Sequence, residues 1–458
     1  MLPSTDRCSL SSTIRRTICA FCILELLRLP QVTSFVVPDR AARNTCSNHR
    51  VRNRRQSPIG FQSDSFAFGA STTTPTTFRL AVDDDDEDAA VLTNDAAVES
   101  DDASGSGFFW EFRGHSCYAE IDQPSKARNS SSNKPTVVLI HGFACSTVYW
   151  RETRAFLREA GYTVHAVDLL GQGRSAKPGR SDGVEYSIDL WAKMVDEYAS
   201  QYIAFDDETG DKDGTDGGVV LVGNSLGSLV ALSVATGDCY NEENTASQIP
   251  FLRSRVKGLC YYNCAVGLNI RNAIKSVPQQ WLKVVLMVVF DVLDRLVFDN
   301  KALLTYVIDN KVSKDLIRTA LTGLYAYAED PETKVDDELV DSFINPVLND
   351  STEAVVEVLS QIYTNDAGRT PMELQSKYLS TTGDETGRSK IPIHLIWGDQ
   401  DTVAPVNGDV GTYYSKLAAA SGSNVSMEVI NNAGHVLFDE RPECNAGLIE
   451  WLEEKIIA

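Results

Sequence analysis

Histidine is scarce in this chain: His49, His115, His141, His165, His394 and His435 are the six in 458 residues. None belongs to a His-Glu-x-x-His run, the spacing that puts two imidazoles on one helix face around a metal, so a metallohydrolase of that kind is excluded. Four of the ten cysteines (Cys8, Cys19, Cys22, Cys46) fall in the first 46 residues. The other six (Cys117, Cys145, Cys239, Cys260, Cys264, Cys444) have neither zinc-ligand spacing nor the pattern of a small disulfide framework, and read as mostly buried thiols. Positive charge is also short: 42 Lys and Arg against 63 Asp and Glu give a net charge of −21. A nucleic-acid partner, which needs a basic face to neutralise phosphates, is therefore excluded. The most apolar N-terminal stretch, Ile18 to Leu29, is interrupted by Glu25 and Arg28 and is too short to span a membrane. Asp211-Lys212-Asp213-Gly214 begins like a calcium loop, but Val222 stands where the bidentate glutamate of such a loop belongs. There is no internal repeat.

What is present divides the chain into segments. Residues 1–34 are signal-like, with Arg15 and Arg16 ahead of the apolar stretch. Residues 35–80 are rich in arginine and hydroxyl side chains and carry only Asp39 and Asp64 as acids, the composition of a transit peptide. A signal-like stretch, then Phe35 after a small residue, then a transit-like stretch is similar to the bipartite presequences of algae with secondary plastids, which implies delivery to a plastid (chloroplast). Residues 81–107 form an acidic linker rich in Ala, Ser and Gly.

From Phe108 onward, apolar strands alternate with amphipathic helices. This is the pattern of an α/β domain with a mostly parallel sheet covered by helices on both faces. Phe108 to Phe112 and His115 to Ile121 read as an antiparallel pair, and Thr136–Ile140, Tyr162–Val167, Val219–Val222 and Val256–Asn263 as buried strands. Helices are expected over Ser146–Ala160, along the Ile188, Trp191, Val195, Tyr198 face, and from Ser225. Alternation stops over 271–390, which reads as helix after helix, and resumes with Ile391–Trp397, Val425–Ile430 and a closing helix near Pro442–Ile457. The expected organisation is a core in two parts, 108–270 and 391–458, with a helical lid over 271–390 inserted before the last two strands.

The strongest chemical signal is Gly223-Asn224-Ser225-Leu226-Gly227. It fits G-x-S-x-G between an apolar strand and an apolar helix, where a sharp turn thrusts a serine hydroxyl outward at a helix N-terminus. A serine needs an adjacent base. His435, in Asn431-Asn432-Ala433-Gly434-His435 after the last strand, is the candidate. The acid that orients it is Asp399 or Asp401, in Trp397-Gly398-Asp399-Gln400-Asp401. The chain order Ser, Asp, His and the placement of all three beyond strand C-termini agree with one site on one sheet edge. Two backbone N–H groups must face the developing oxyanion. Leu226, next to the nucleophile, and Phe143, in His141-Gly142-Phe143 after the first buried strand, are the candidates. His141 reads as a brace for that loop rather than a base. Ester hydrolysis on such a site requires no cofactor or metal.

The stretch Val138 to Pro178, with His141-Gly142-Phe143 and Asp168-Leu169-Leu170-Gly171-Gln172-Gly173-Arg174-Ser175, together with Leu221–Gly227 and Ile393–Asp401, resembles the α/β-hydrolase superfamily. That resemblance implies the α/β-hydrolase fold and a Gly-x-x-Asp spacing for the acid, which selects Asp401. The Gly-Asn-Ser-Leu-Gly elbow and the Leu-Gly-Gln-Gly-x-Ser loop are similar to the plastid hydrolases that include pheophytinase, although Ser228 stands where that group has a further glycine. This closer resemblance implies a phytyl ester of a chlorophyll catabolite as substrate. A general carboxylesterase or lipase-like enzyme, and a non-catalytic hydrolase-fold ligand binder, remain as alternatives. So does C–C bond or haloperoxidase chemistry on the same triad.

Within the lid, the run Trp281 to Phe290 is apolar on more faces than core packing needs. It is either a helix buried between lid and core or a hydrophobic wall facing a long ester or, peripherally, a membrane surface. Lys283, Asp291, Asp294 and Arg295 exclude a membrane span there. The expected partner is a small hydrophobic ester.

Overall fold

The computed structural model describes residues 106–125, 134–204, 218–240, 250–269, 271–275, 277, 279–382 and 391–457. The signal-like and transit-like segments, and the acidic linker up to residue 105, lie outside these residues.

One eight-stranded sheet organises the domain, in the order β1-β2-β4-β3-β5-β6-β7-β8. Its strands are β1 (Ser106–Phe112), β2 (His115–Asp122), β3 (Thr136–Ile140), β4 (Val164–Val167), β5 (Val219–Asn224), β6 (Val256–Tyr262), β7 (Ile393–Gly398) and β8 (Val425–Ile430). β2 pairs antiparallel with both β1 and β4; every pairing from β4 across to β8 is parallel. The first strand begins at Ser106, two residues earlier than its apolar run suggests, because Ser106 and Gly107 pair with Ile121 and Glu120.

Parallel strands covered on both faces must be apolar at successive positions, and alternate residues here feed two separate cores. Val138, Ile140, Leu221, Leu259, Tyr261, Leu395 and Trp397 pack on one face. Val137, Leu139, Val220, Val222, Cys260, Tyr262 and Ile396 pack on the other. The first face is covered by α2 (Ile188–Tyr202), α3 (Leu226–Thr236) and α12 (Asp409–Ala418), the second by α1 (Arg151–Glu159), α13 (Leu437–Glu440) and α14 (Asn445–Leu452). The sequence pattern did not reveal α12, which is short and has Gly411 in its interior. Two expected helices are segmented. The first opens with a 3-10 turn, Thr147–Trp150, before α1. The closing one runs as a 3-10 turn at Pro442–Cys444, then α14, then a π turn at Glu453–Ile457.

Between β6 and β7 the chain forms α4 (Arg271–Lys275), α5 (Gln280–Leu293), α6 (Lys301–Lys311), α7 (Lys314–Leu324), α8 (Pro331–Lys334), α9 (Asp337–Asn349), α10 (Thr352–Thr364) and α11 (Pro371–Thr382). Caps written into the sequence set these breaks. The side chains of Asn300, Ser313, Asp330, Asp336 and Ser351 each accept a backbone N–H in the first turn of the following helix. The buried-helix reading of Trp281–Phe290 is overturned: α5 has no buried residue, and Trp281 is 69% exposed and Val284 58%. Its apolar positions face outward because they occupy too much of the helix circumference for one packing partner to cover. No helix among the described residues is long and apolar enough to cross a membrane.

Candidate active site

Ser225 stands between β5 and α3 with φ 51° and ψ −116°, a left-handed value that a non-glycine residue adopts only under constraint. The constraint is visible on both sides. Ser225 N–H donates to Tyr262 O (2.9 Å), and Ser225 O accepts from Ala265 N–H (3.2 Å), so the turn is tied to the end of β6. Glycine is required at 223 and 227 because the chain crosses itself there. A Cβ on Gly227 would lie 2.1 Å from Ile140 O, and one on Gly223 would lie 2.4 Å from the Gly227 backbone. The hydroxyl-bearing residue is left half-buried at the first turn of α3.

Leu226 opens α3, where its backbone N–H has no acceptor within the helix. The loop carrying Phe143 lies against Ser225: a Cβ on Gly142 would be 3.3 Å from Ser225 Cβ and 3.0 Å from Asn224 Oδ1. The two predicted oxyanion donors thus follow the neighbouring strands β3 and β5. The Phe143 loop is fixed from behind. His141 Nε2 accepts from Leu169 N–H (3.0 Å) and its Nδ1 donates to Gly142 O (2.6 Å). Burial lowers the pKa of this imidazole and keeps it neutral. With both nitrogens engaged, His141 braces the loop. Ala144 N–H donates to Gln172 Oε1 (2.6 Å), and Thr147 N–H donates to buried Asp168 Oδ1 (2.6 Å), so the 168–175 loop is part of the same brace.

His435 follows β8 and Asp401 follows β7. His435 Nδ1 and Asp401 Oδ2 are 2.8 Å apart; the aspartate is fully shielded and the imidazole partly open. Asp401 Oδ1 accepts from Val403 N–H (2.8 Å) and Ala404 N–H (2.9 Å), which fixes the carboxylate plane. Asp399, the competing acid, accepts from its neighbour Gln400 Nε2 (3.1 Å), its one side-chain hydrogen bond among the described residues.

Several residues that the motifs did not point to hold this constellation. Asn263, at φ 47°, is completely buried. Its Nδ2 donates to Gly434 O (2.9 Å) and His435 O (2.7 Å), while its Oδ1 accepts from Gly398 N–H (2.9 Å). One side chain thereby joins the histidine loop to the strand end that leads to Asp401. Asn224 Nδ2 reaches Tyr262 O (3.1 Å) and His435 O (3.4 Å) from the serine side. Glu440 accepts from Gly434 N–H (2.7 Å) and from Tyr327 N–H of the lid (2.6 Å). Burial raises its carboxyl above the ordinary value, against the opposing pull of those two donors. The available signal was an asparagine at the C-terminal end of an apolar strand, at 224 and again at 263, where a side-chain amide reaches groups the sheet leaves unpaired.

Aromatic rings lead outward from the site. Phe143 meets Tyr363 of α10 edge-on (centroids 6.0 Å), and Tyr363 stacks on Phe298, just beyond α5, at 4.0 Å and 16°. Among the described residues no group of three or more His, Cys, Asp or Glu side chains could hold a metal ion.

A model of the "Alpha/beta hydrolase family" matches residues 137–443. An uncharacterized protein of Mycobacterium tuberculosis is 24% identical over 325 residues, 71% of this chain and 77% of that one. The probable lysophospholipase BODYGUARD 2 of Arabidopsis thaliana is 32% identical over 124 residues, 26% of this chain and 23% of that one. Among solved structures, a probable hydrolytic enzyme of Pseudomonas aeruginosa aligns with a TM-score of 0.49 at 17% identity, covering 77% of this chain and 96% of that one.

Proposed function

The chain belongs to the alpha/beta hydrolase family, and we propose that it cleaves a carboxylic ester through an acyl-enzyme on Ser225. The observation that carries this reading is the 2.8 Å pairing of His435 Nδ1 with Asp401, in a loop tied by Asn224 to the strained serine turn. That pairing sets the tautomer: Nδ1–H faces the carboxylate and leaves Nε2 as the base. His435 takes the Ser225 proton as the oxygen attacks the ester carbonyl. The oxyanion is held by the N–H groups of Phe143 and Leu226. His435 then protonates the departing alkoxide, and afterwards activates a water that releases the acid and restores the serine. An aspartate at position 225 would have indicated an alkyl-enzyme; the serine favours acyl transfer.

The substrate class proposed is a hydrophobic ester, in keeping with the aromatic path from Phe143 to Phe298. A phytyl ester of a chlorophyll catabolite is the specific candidate, resting on the pheophytinase-like elbow and loop and on the plastid-type presequence. The lysophospholipase name of the Arabidopsis relative favours a lipid acyl ester instead. A fluorophosphonate probe tests the chemistry: it should label the wild-type protein and not Ser225→Ala. Folded wild-type protein that resists the probe would favour a non-catalytic binder. An ester panel from short acyl chains to pheophytin tests the substrate, and cleavage of short esters with pheophytin left intact removes the phytyl reading. Plastid delivery is tested by a fluorescent fusion to residues 1–80.

A further inference from the structure

Helix α5 is the most anomalous surface among the described residues. Trp281, Val284, Val285, Met287, Val288, Val289, Val292 and Leu293 are each at least 42% exposed, and Leu296 in the following π turn is 62% exposed. At 100° per residue, Trp281, Val284, Val285, Val288 and Val292 fall on one side of the helix, and the others widen that stripe in both directions. A continuous apolar face of this kind on a soluble domain marks a binding surface. We propose that α5 docks on the surface of a lipid bilayer with electrically neutral headgroups.

Three observations select that occupant. First, the face is dominated by valine with a single tryptophan at the helix start. Protein-binding faces are enriched in aromatic residues and arginine and poor in valine, whereas a lone tryptophan at the edge of an aliphatic face suits the water–lipid boundary. Second, the charges of this segment balance in number, Lys283 and Arg295 against Asp291 and Asp294. Arg271 pairs with both Asp291 (3.1 Å) and the buried Asp294, so little uncompensated charge enters the interface. Third, the whole chain carries −21, which repels an anionic membrane and disfavours apposition of two copies. The face is also connected to the site already described: the π turn that ends α5 carries Phe298, whose ring stacks on Tyr363, the neighbour of Phe143. A hydrophobic ester leaving the bilayer at α5 would next meet the rings of Phe298, Tyr363 and Phe143. This last link rests on the proposed esterase reading; the docking itself does not.

The test is flotation of the full chain with phosphatidylcholine vesicles and with vesicles containing phosphatidylglycerol. Wild-type protein should float with the neutral vesicles at least as well as with the anionic ones. The Val284→Asp/Val288→Asp double variant should lose vesicle binding by roughly tenfold or more, from the lost burial of two valines. Val429→Asp, an exposed valine on β8 away from the lid (44% exposed), should bind like wild type, and thermal unfolding should show all three proteins folded. Undiminished flotation of the double variant would overturn the proposal, since the presequence or another surface would then be responsible. It would equally be overturned if wild-type protein stayed unbound and sedimented as a dimer that the double variant dissociates, because the face would then join two copies. Binding is read without any ester, so a failure here and a failure of the hydrolase reading cannot be confused.

Discussion

Asp401 serves His435 with one carboxylate oxygen and its own loop with the other: Oδ2 lies 2.8 Å from Nδ1, while Oδ1 receives the Val403 and Ala404 N–H groups. The acid is therefore oriented before the imidazole meets it. Asp401→Asn would present an amide N–H to Nδ1 and favour the wrong tautomer. Ester turnover should fall by about 10⁴-fold with the fold intact. Asp399→Asn, whose side chain pairs with Gln400, should leave turnover nearly unchanged. Steady-state kinetics on a short-chain ester separate the two, and a loss confined to Asp399→Asn would reverse the assignment.

Glu440 couples the histidine loop to the lid through Gly434 and Tyr327. In Glu440→Ala both N–H groups lose a charged acceptor in a largely buried place. The expected cost is about 2–4 kcal/mol of stability, with reduced turnover because Gly434 precedes His435. Glu440→Gln, which keeps one carbonyl acceptor, should fall between. Urea unfolding and turnover on the same preparations check both statements.

Stability should decline on acidification in two stages. Burial pushes His165 and His394 down to about 4 and also lowers His141. Below about 6.5 the unfolded chain takes up protons at these sites that the folded chain refuses, so stability is lost as pH falls toward 4. At Glu120 burial alone would raise the carboxyl, but Arg154 and Arg174 outweigh it and hold it below its ordinary value. Its contribution is present above the unfolded carboxylate value of about 4.5 and fades below it. Asp439 and Glu440, raised chiefly by burial, act in the opposite sense just above the ordinary carboxylate range. Urea midpoints measured from pH 7.5 to 4 should show the decline, and His165→Gln should flatten its upper part only. A wild-type midpoint constant down to pH 4.5 would contradict this.

The glycines of the serine turn are not interchangeable with others. Gly227→Ala forces a methyl against the backbone oxygens of Ile140 and His141 at 2.1 and 2.7 Å, so α3 must separate from β3. A loss of about 4 kcal/mol or more is expected. Gly161→Ala meets no atom within 4 Å and suffers only from φ +88°, costing about 1–2 kcal/mol. Equilibrium unfolding of the two variants provides the comparison.

The sheet was readable because its parallel strands are covered on both faces, so Val137–Ile140 and Val219–Val222 appear as unbroken apolar runs bounded by turns. Ser225 and Asp401 were readable because each follows such a run, and His435 because it follows the last strand, although Ser426 and Glu428 interrupt that strand. The support around them was not, since Asn263 to His435 spans 172 residues, Asn224 to His435 spans 211, and Tyr327 to Glu440 spans 113. No local pattern encodes pairings of that length. The orientation of α5 was unreadable for a different reason. Periodicity points to a core only when one side of a helix is polar, and Trp281 to Phe290 offers no such side.

The lid departs from the sheet after β6 and returns to it at β7, and those strands are adjacent, with Leu259 opposite Ile393. The cassette from 271 to 382 is therefore covalently joined to the sheet at two neighbouring points, and Glu440 adds a tie from Tyr327 to the histidine loop. Provided that tie is kept, the length and sequence of the cassette can drift without moving the strands that precede Ser225 and Asp401. Diversification of what such a scaffold acts on can proceed by replacing a module, while the bond-breaking apparatus is inherited intact.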